Sequence, residues 1–236
     1  LIYTGEEDLW GTSITDADLD KELEVGFPPP GHPRYKVDFK VDSELAKELL
    51  EGLISQGFDI AFSKKMKPQG IMFQGPPHEG MPHAFAFPAP HILPRPDLPI
   101  VPLFIITTEN TPALLTGQRC LELGRAIAKV CEKNDKRIAI YASGGMSHDP
   151  FVHRQGWVDE PLDNWFMDQL TNGTSHNLKA MFSFHSENLL IGTGELRTWI
   201  TVAGAVDYAK PGHKAVKVDY FPARKVDTGS GWVYWP

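Results

Sequence analysis

The sequence is poor in cysteine, with two in 236 residues, and no apolar run in it approaches the roughly 20 residues that cross a bilayer. Its first eight residues, LIYTGEED, lack the basic start and the long apolar segment of a secretory signal peptide. Acidic residues outnumber basic ones, and the formal net charge is −7. A nucleic-acid-binding domain carries a basic stripe, so the acidic balance argues against nucleic acid as a partner. The lack of a long apolar run argues against a membrane as a partner.

The two cysteines, Cys120 and Cys131, form no CxxC pair and no metal-binding pattern. They lie on one predicted helix, at a spacing of about 16 Å along its axis, which no disulfide bridges. We therefore expect two reduced thiols and a cytoplasmic protein.

Internal repeats and heptad runs are also missing, and the chain instead alternates predicted strands with predicted helices. This alternation predicts an α/β fold, with a central, mostly parallel or mixed sheet flanked by helices, in a single domain over residues 1–236. The predicted helices cover residues 42–56, 116–133, 160–171 and 194–206. The predicted strands cover residues 58–62, 100–106, 137–142, 213–221 and 229–235.

The segment GGMSHDP follows one of these strands, and it presents a single histidine, His148. Gly144 and Gly145 allow a sharp turn, and Asp149-Pro150 prevents an early return to helix. Sites in such sheets form where strands end, which favours a functional role for His148. The alternative is a turn histidine that only bonds the neighbouring backbone.

The same segment partly resembles a serine nucleophile elbow, G-x-S-x-G, with Ser147 as the nucleophile. Asp149 occupies the position of the last glycine, and Pro150 blocks the helix that follows in such elbows. A serine hydrolase is therefore disfavoured.

A second candidate is the carboxylate of Glu195, in the segment IGTGELRTW. Gly192 and Gly194 make a turn, and Glu195 falls in the first turn of the predicted helix. One explanation for Glu195 is structural, because a carboxylate in the first turn interacts favourably with the helix dipole. The other is a metal ligand that points from a glycine-lined turn into a cavity, and the residues alone leave both open.

A third candidate is the segment MPHAFAFPAPH, in which two histidines flank alternating phenylalanine and proline. Phe85 and Phe87, with His83 and His91 nearby, would suit a flat aromatic ligand. A proline-rich surface loop explains the same segment, and both interpretations stay open.

In combination, these segments resemble the class III extradiol ring-cleavage dioxygenases. The closest likeness is to the group of the protocatechuate 4,5-dioxygenase β-subunit and gallate dioxygenase, and it covers about residues 35–236. The matching features, in chain order, are His83-x4-Pro88, Gly117-x-Arg119-Cys120, GGMSH at 144–148, Gly194-Glu195-x3-Trp199, Gly204-Ala205, Tyr220-Phe221-Pro222 and Thr228-Gly229.

The resemblance implies a non-haem Fe(II) oxidoreductase that cuts the ring of a catecholic aromatic beside the diol and incorporates both atoms of O2. The family holds its iron with two histidines and one glutamate. The resemblance makes Glu195 the carboxylate ligand, His148 the catalytic acid/base and His83 a second catalytic histidine. An imidazole suits this role because a catechol hydroxyl must lose a proton near neutral pH. The residues expected to bind substrate are Ser147, Gly145 and Phe85.

The sequence departs from the family where the two iron-binding histidines belong. Those histidines precede the region of resemblance, whereas here the strand end LIYTG runs into Glu6-Glu7-Asp8, and no histidine occurs before His32. Either the segment with these ligands is absent from this sequence, or the chain is a degenerate paralogue. We expect the first, because a paralogue relieved of catalysis need not keep His83, His148 and Glu195 together.

The sequence thus predicts an extradiol dioxygenase for a protocatechuate- or gallate-like substrate, in aromatic compound catabolism. The alternative is a non-catalytic, metal-free partner subunit of a heteromeric dioxygenase. Six tryptophans and thirteen phenylalanines leave room for a buried interface, so we expect a homo- or hetero-oligomer.

Overall fold

The computed structural model describes two compact units of the chain. The first comprises residues 1–50 and 60–104, and the second comprises residues 51–59 and 105–236. The expectation of a single domain stays a prediction. The described residues are 1–12, 36–65, 81–93, 95, 97–107, 114–149, 154 and 156–236.

The first unit is built on two short strand pairs. Strand β1 (Ile2–Tyr3) pairs in parallel with β4 (Phe62–Ser63), and β2 (Leu9–Thr12) pairs antiparallel with β3 (Lys36–Phe39). Their inner side chains form an apolar core, which holds Tyr3, Leu9, Phe39, Met81 and Ala89.

Helix α1 (Ser43–Ser55) confirms the helix predicted over residues 42–56. The carboxylate of Asp42 accepts a hydrogen bond from the backbone N–H of Leu45 at 3.0 Å, which satisfies an otherwise unpaired donor of the first turn. Gly57, with a φ of 80°, follows the end of the helix in the left-handed conformation that glycine favours. The leucines of its buried stripe are Leu45, Leu49 and Leu53.

The helices of the second unit agree with the sequence analysis. Helix α4 (Gly117–Cys131) is capped by Thr116, and α5 (Glu160–Thr171) is capped by Asp159. Two four-residue helices of the first unit precede them, α2 (His83–Ala86) and α3 (Ala89–Ile92). Helix α6 (Leu196–Ala209) follows a 3₁₀ turn over Ile191–Glu195, so it begins two residues later than predicted.

Helices α4 and α6 pack with their backbones in contact, and glycines make this possible. A Cβ atom at Gly124 would overlap the carbonyl oxygen of Thr201, and one at Gly204 would overlap that of Leu121. The contact buries Cys120 on α4, and burial raises the pKa of its thiol to about 12. Both cysteines are free, as expected.

Strands β5 (Val216–Ala223) and β6 (Thr228–Tyr234) correspond to the strands predicted over 213–221 and 229–235, and they form an antiparallel hairpin. Asp227 turns the chain between them with a φ of 56°. The inner face of the hairpin packs against the core of the second unit through Tyr220, Val233 and Trp235.

The α/β class is confirmed, with parallel and antiparallel pairing, but the described strands form three separate two-stranded sheets. The strand predicted over 100–106 is confirmed only in part: it makes single bridges from Ile100 to Val41 and from Leu103 to Ile2, with backbone hydrogen bonds to residues 1–3 and 40–42. Residues 137–142 form no ladder with any residue that the structure describes, and Tyr141 is 49% exposed. The strand prediction over 137–142 is wrong within the described residues, because an apolar pattern reports a preference for burial and does not supply a pairing partner. Within the described ranges, no helix is both long and apolar enough to cross a membrane.

Replacing Gly124 with alanine should weaken the contact between α4 and α6. The added methyl group meets backbone that cannot rotate away, so we expect the free energy of unfolding to fall by about 1–3 kcal/mol or more. Urea denaturation measures this change. Lys133→Ala, at an exposed residue just after α4, should stay within about 0.5 kcal/mol, and equal stability of the two variants would contradict the close packing.

Candidate active site

The candidate site is built around residues 144–148, the GGMSH loop, which lies within the second unit. The loop contacts α5 through Asp163, the 3₁₀ turn before α6 through Glu195, and strand β6 through Gly229. From α6, the indole N–H of Trp199 donates a hydrogen bond to the Gly144 carbonyl at 2.9 Å. The loop is therefore held from several sides.

The imidazole of His148 has a defined tautomer. Its Nδ1 lies 2.8 Å from the carbonyl oxygen of Met146, and because that oxygen can only accept, Nδ1 carries the hydrogen. The neutral ring then has its lone pair at Nε2, the atom that can take up a proton. The backbone of His148 is fixed too, because its N–H donates to Thr193 Oγ1 and its carbonyl accepts from the Thr193 N–H, both at 3.2 Å.

Two glycines enclose this ring. A Cβ atom at Gly145 would lie 2.8 Å from His148 Cε1, and one at Gly192 would overlap the ring at Cδ2 and Nε2. One glycine of each sequence motif, Gly145 and Gly192, thus leaves room for the imidazole.

The carboxylate of Glu195 reaches the same loop. Its Oε2 accepts a hydrogen bond from the backbone N–H of Gly145 at 2.6 Å. A Cβ atom at Gly144 would come within 2.9 Å of the Glu195 Cβ, so this glycine permits the approach. The structure therefore brings His148 and Glu195 together at Gly145, and both side chains are partly exposed.

Sequence reasoning missed a buried carboxylate beneath the loop. Asp163, which is 0% exposed, accepts hydrogen bonds from the Ser147 N–H at 2.8 Å, from the Ser147 hydroxyl at 2.9 Å and from the Tyr220 hydroxyl at 2.9 Å. Burial raises the pKa of Asp163, while these hydrogen bonds oppose that rise. Burial and the nearby Asp163 raise the pKa of Tyr220, so the phenol keeps its proton and donates.

A signal for Asp163 was present in the sequence. It shares the buried stripe of α5 with Phe166, Met167 and Leu170, at helical spacings of three, four and seven residues. A carboxylate within an apolar stripe needs donors, because an unpartnered buried charge is strongly destabilising.

The structure places Ser147 within this network, and its expected contact with substrate stays a prediction. Ser147 is 0% exposed, and its hydroxyl donates to Asp163 and accepts from the Asp159 N–H at 2.7 Å. Both groups of this residue that could bind a ligand hold the loop in this structure. The same engagement removes Ser147 as a nucleophile.

The remaining expected site residues lie in the first unit. His83 is the first residue of α2, where it is exposed and its ring meets Phe87 edge-on at 6.0 Å. Phe85 packs against Phe104, with ring centroids 5.1 Å apart, and belongs to the core of that unit. Their expected roles in catalysis and substrate binding stay predictions.

The described residues do not complete a metal centre. No group of three or more histidine, cysteine, aspartate or glutamate side chains converges anywhere in the part of the chain that the structure describes. Glu195 offers one carboxylate, and His148 engages Nδ1 with the Met146 carbonyl. The described residues therefore do not by themselves supply the two histidines and one glutamate of such an iron site, although the Glu195 carboxylate is suited to one of the three positions.

Residues 27–229 match the family model described as the catalytic LigB subunit of aromatic ring-opening dioxygenase. Among curated proteins, the chain is 30% identical over 131 residues to 2,3-dihydroxyphenylpropionate/2,3-dihydroxicinnamic acid 1,2-dioxygenase of Photorhabdus laumondii, covering 54% of this chain and 36% of that protein. It is 25% identical over 181 residues to gallate dioxygenase of Pseudomonas putida, covering 75% of this chain and 49% of that protein. The chain thus spans about a third to a half of the length of these relatives.

Replacing Gly192 with alanine should displace the His148 imidazole, because the new methyl group would occupy the position of the ring. We expect the ring resonances of His148 to shift in a proton–carbon correlation spectrum, together with a stability loss of about 1–3 kcal/mol. Leu170→Ala on α5 is the control, because it destabilises the core by about 2–5 kcal/mol without contacting the ring. Unchanged His148 resonances in Gly192→Ala would contradict the enclosed position.

Proposed function

This chain belongs to the family of the catalytic LigB subunit of aromatic ring-opening dioxygenases, and on that premise we propose that it catalyses extradiol ring cleavage of a catecholic aromatic with O2. The observation that carries the proposal is the meeting of an imidazole and a carboxylate, His148 and Glu195, at Gly145. The first can move a proton, and the second can bind a metal.

The proposed substrate is a catechol with a carboxylate, similar to protocatechuate or gallate. The matched relatives are named for gallate and for 2,3-dihydroxyphenylpropionate, which are aromatic acids with adjacent ring hydroxyls. A net charge of −7 provides no general attraction for such an anion, so its carboxylate must be recognised by local groups.

His148 has the arrangement of a general base for the catechol hydroxyl. With Nδ1–H bonded to the Met146 carbonyl, Nε2 accepts the hydroxyl proton as the substrate binds. The carbonyl then stabilises the imidazolium, because Nδ1–H becomes a stronger donor once the ring is charged. The same nitrogen can return the proton later in the reaction.

We propose Fe(II) as the metal and Glu195 as its carboxylate ligand. When bound, the metal supplies the site at which the catecholate and O2 meet. The described residues do not complete the metal centre. The contribution that we propose for this chain is therefore proton transfer by His148. We further propose a cytoplasmic enzyme that forms homo- or hetero-oligomers.

The incomplete donor set favours a second candidate function, that of a metal-free partner subunit in a heteromeric dioxygenase. Among the described residues, no three metal-binding side chains converge. Such a subunit would contribute stability and an interface without catalysing the reaction.

Iron content separates the two candidates. A single carboxylate does not hold Fe(II) against water, so we expect the 236-residue chain to retain far less than one iron per chain after purification, by elemental analysis. Expressed together with any coding sequence that flanks it, the protein should hold one iron if it is the enzyme, and should lack iron if it is the partner subunit. Stoichiometric iron in the 236-residue chain would show that our choice of ligands is wrong.

Substitutions of His148 and Glu195 test their separate roles in the iron-loaded protein. His148→Ala should keep its iron and lose about 10²–10⁴-fold in turnover, the usual contribution of general acid–base catalysis, or roughly 3–5 kcal/mol of barrier. Glu195→Ala should lose both iron and turnover. The change in absorbance as the ring opens measures the rate.

His176→Ala, at an exposed histidine of the second unit, is the matched control and should keep both iron and turnover. Wild-type turnover in an iron-loaded His148→Ala enzyme would remove this imidazole from the mechanism.

A further inference from the structure

We infer that Asp163 is a positioning residue for the His148 imidazole, and that it acts through the peptide group between Met146 and Ser147. This inference rests on the proposed function of His148. It adds a residue that neither the sequence motifs nor the family match assigns to the site.

One peptide group, between Met146 and Ser147, links the carboxylate to the imidazole. The N–H of Ser147 donates to Asp163 Oδ1 at 2.8 Å, and the carbonyl of Met146 accepts from His148 Nδ1 at 2.8 Å. These two atoms belong to the same planar amide, which cannot twist at its C–N bond. Fixing the N–H end therefore fixes the direction of the carbonyl to which the imidazole is bonded.

The carboxylate also polarises this peptide group. A negative charge at the N–H end draws electron density toward the carbonyl oxygen, which becomes a better acceptor for Nδ1–H. Both Asp163 and Ser147 are fully buried, so water does not screen the effect. The result is a chain from carboxylate to peptide to imidazole that holds the ring with Nε2 free.

The surroundings hold Asp163 itself in place. Strand β6 runs directly against it, since a Cβ atom at Gly229 would overlap Asp163 Oδ2. The same glycine exchanges backbone hydrogen bonds with the loop, accepting from the Met146 N–H at 3.0 Å and donating to the Ser147 carbonyl at 2.9 Å. The carboxylate thus lies between the hairpin, α5 and the loop.

Aspartate suits this position better than its amide. The three donors are the Ser147 N–H, the Ser147 hydroxyl and the Tyr220 hydroxyl, and a carboxylate accepts from all of them. Asparagine keeps one oxygen for the Ser147 N–H but places an NH2 group against the two hydroxyls. It also removes the charge that polarises the peptide, so Asp163→Asn is the sharpest test.

Tyr220→Phe is the matched control for Asp163→Asn. It removes one donor from Oδ2 but leaves the bond between Oδ1 and the Ser147 N–H, together with the charge. Leu170→Ala is a second control, because it weakens the buried stripe of α5 but removes no hydrogen bond to the loop.

The first measurement does not depend on activity. In the wild-type protein, the Nδ1–H proton of His148 should give a protected low-field NMR resonance, and the Ser147 amide should exchange slowly with solvent. In Asp163→Asn we expect this resonance to be lost and the amide to exchange about tenfold to hundredfold faster, as when a charge-assisted hydrogen bond is removed. Both controls should keep the resonance.

The second measurement uses the iron-loaded protein and a catechol such as protocatechuate. Asp163→Asn should lower kcat about tenfold to hundredfold and change KM less than about twofold, because substrate still binds beside a misdirected base. A retained resonance and a wild-type kcat in Asp163→Asn would overturn the inference. If that variant does not fold, loss of the resonance in Tyr220→Phe would overturn it as well.

Failure of the proposed function has a different signature. If no catechol is cleaved by the wild-type protein, the function is wrong, and the NMR and exchange measurements still decide whether Asp163 positions His148.

Discussion

The hydrogen bond between the Ser147 N–H and the buried Asp163 carboxylate is the interaction on which the candidate site depends. A buried carboxylate needs hydrogen-bond donors, and Asp163 accepts hydrogen bonds from the loop and from the hairpin. This requirement ties α5, the GGMSH loop and β5 together, so none of them can shift alone. The position of His148 is a consequence of this arrangement, because its ring is bonded to the carbonyl of the same peptide group, that of Met146.

Space is the second constraint, and glycines provide it. The imidazole fits between Gly145 and Gly192, and Glu195 approaches the loop because Gly144 has no side chain. The two motifs GGMSH and IGTGE are therefore complementary halves of one enclosure. Gly144, Gly145 and Gly192 are needed less for turning the chain than for admitting the side chains of His148 and Glu195 to the same small volume.

Features that depend on local sequence were predictable, and features that depend on distant partners were not. Helices α1, α4 and α5 follow from apolar stripes and caps that lie within a few residues of each other. The strand predicted over 137–142 failed because pairing requires a partner that no local pattern names. Asp163 escaped notice for the same reason, because its donors lie 16 and 57 residues away, at Ser147 and Tyr220. His148 and Glu195 were found because glycine-rich turns mark both positions.

The enclosure of His148 bears on the choice between enzyme and metal-free subunit. Glycine lowers stability through its large loss of backbone entropy on folding, and a buried carboxylate adds a desolvation penalty. A subunit that only stabilises a partner gains nothing from these features, since alanine at Gly192 and an apolar residue at Asp163 would suit a packed core better. The arrangement is worthwhile where one imidazole must keep a fixed direction with Nε2 free to take a proton. The enclosure of the imidazole in the second unit therefore favours the enzyme that we propose over the metal-free subunit, with His148 as the proposed proton-transferring group and Glu195 as the proposed carboxylate ligand.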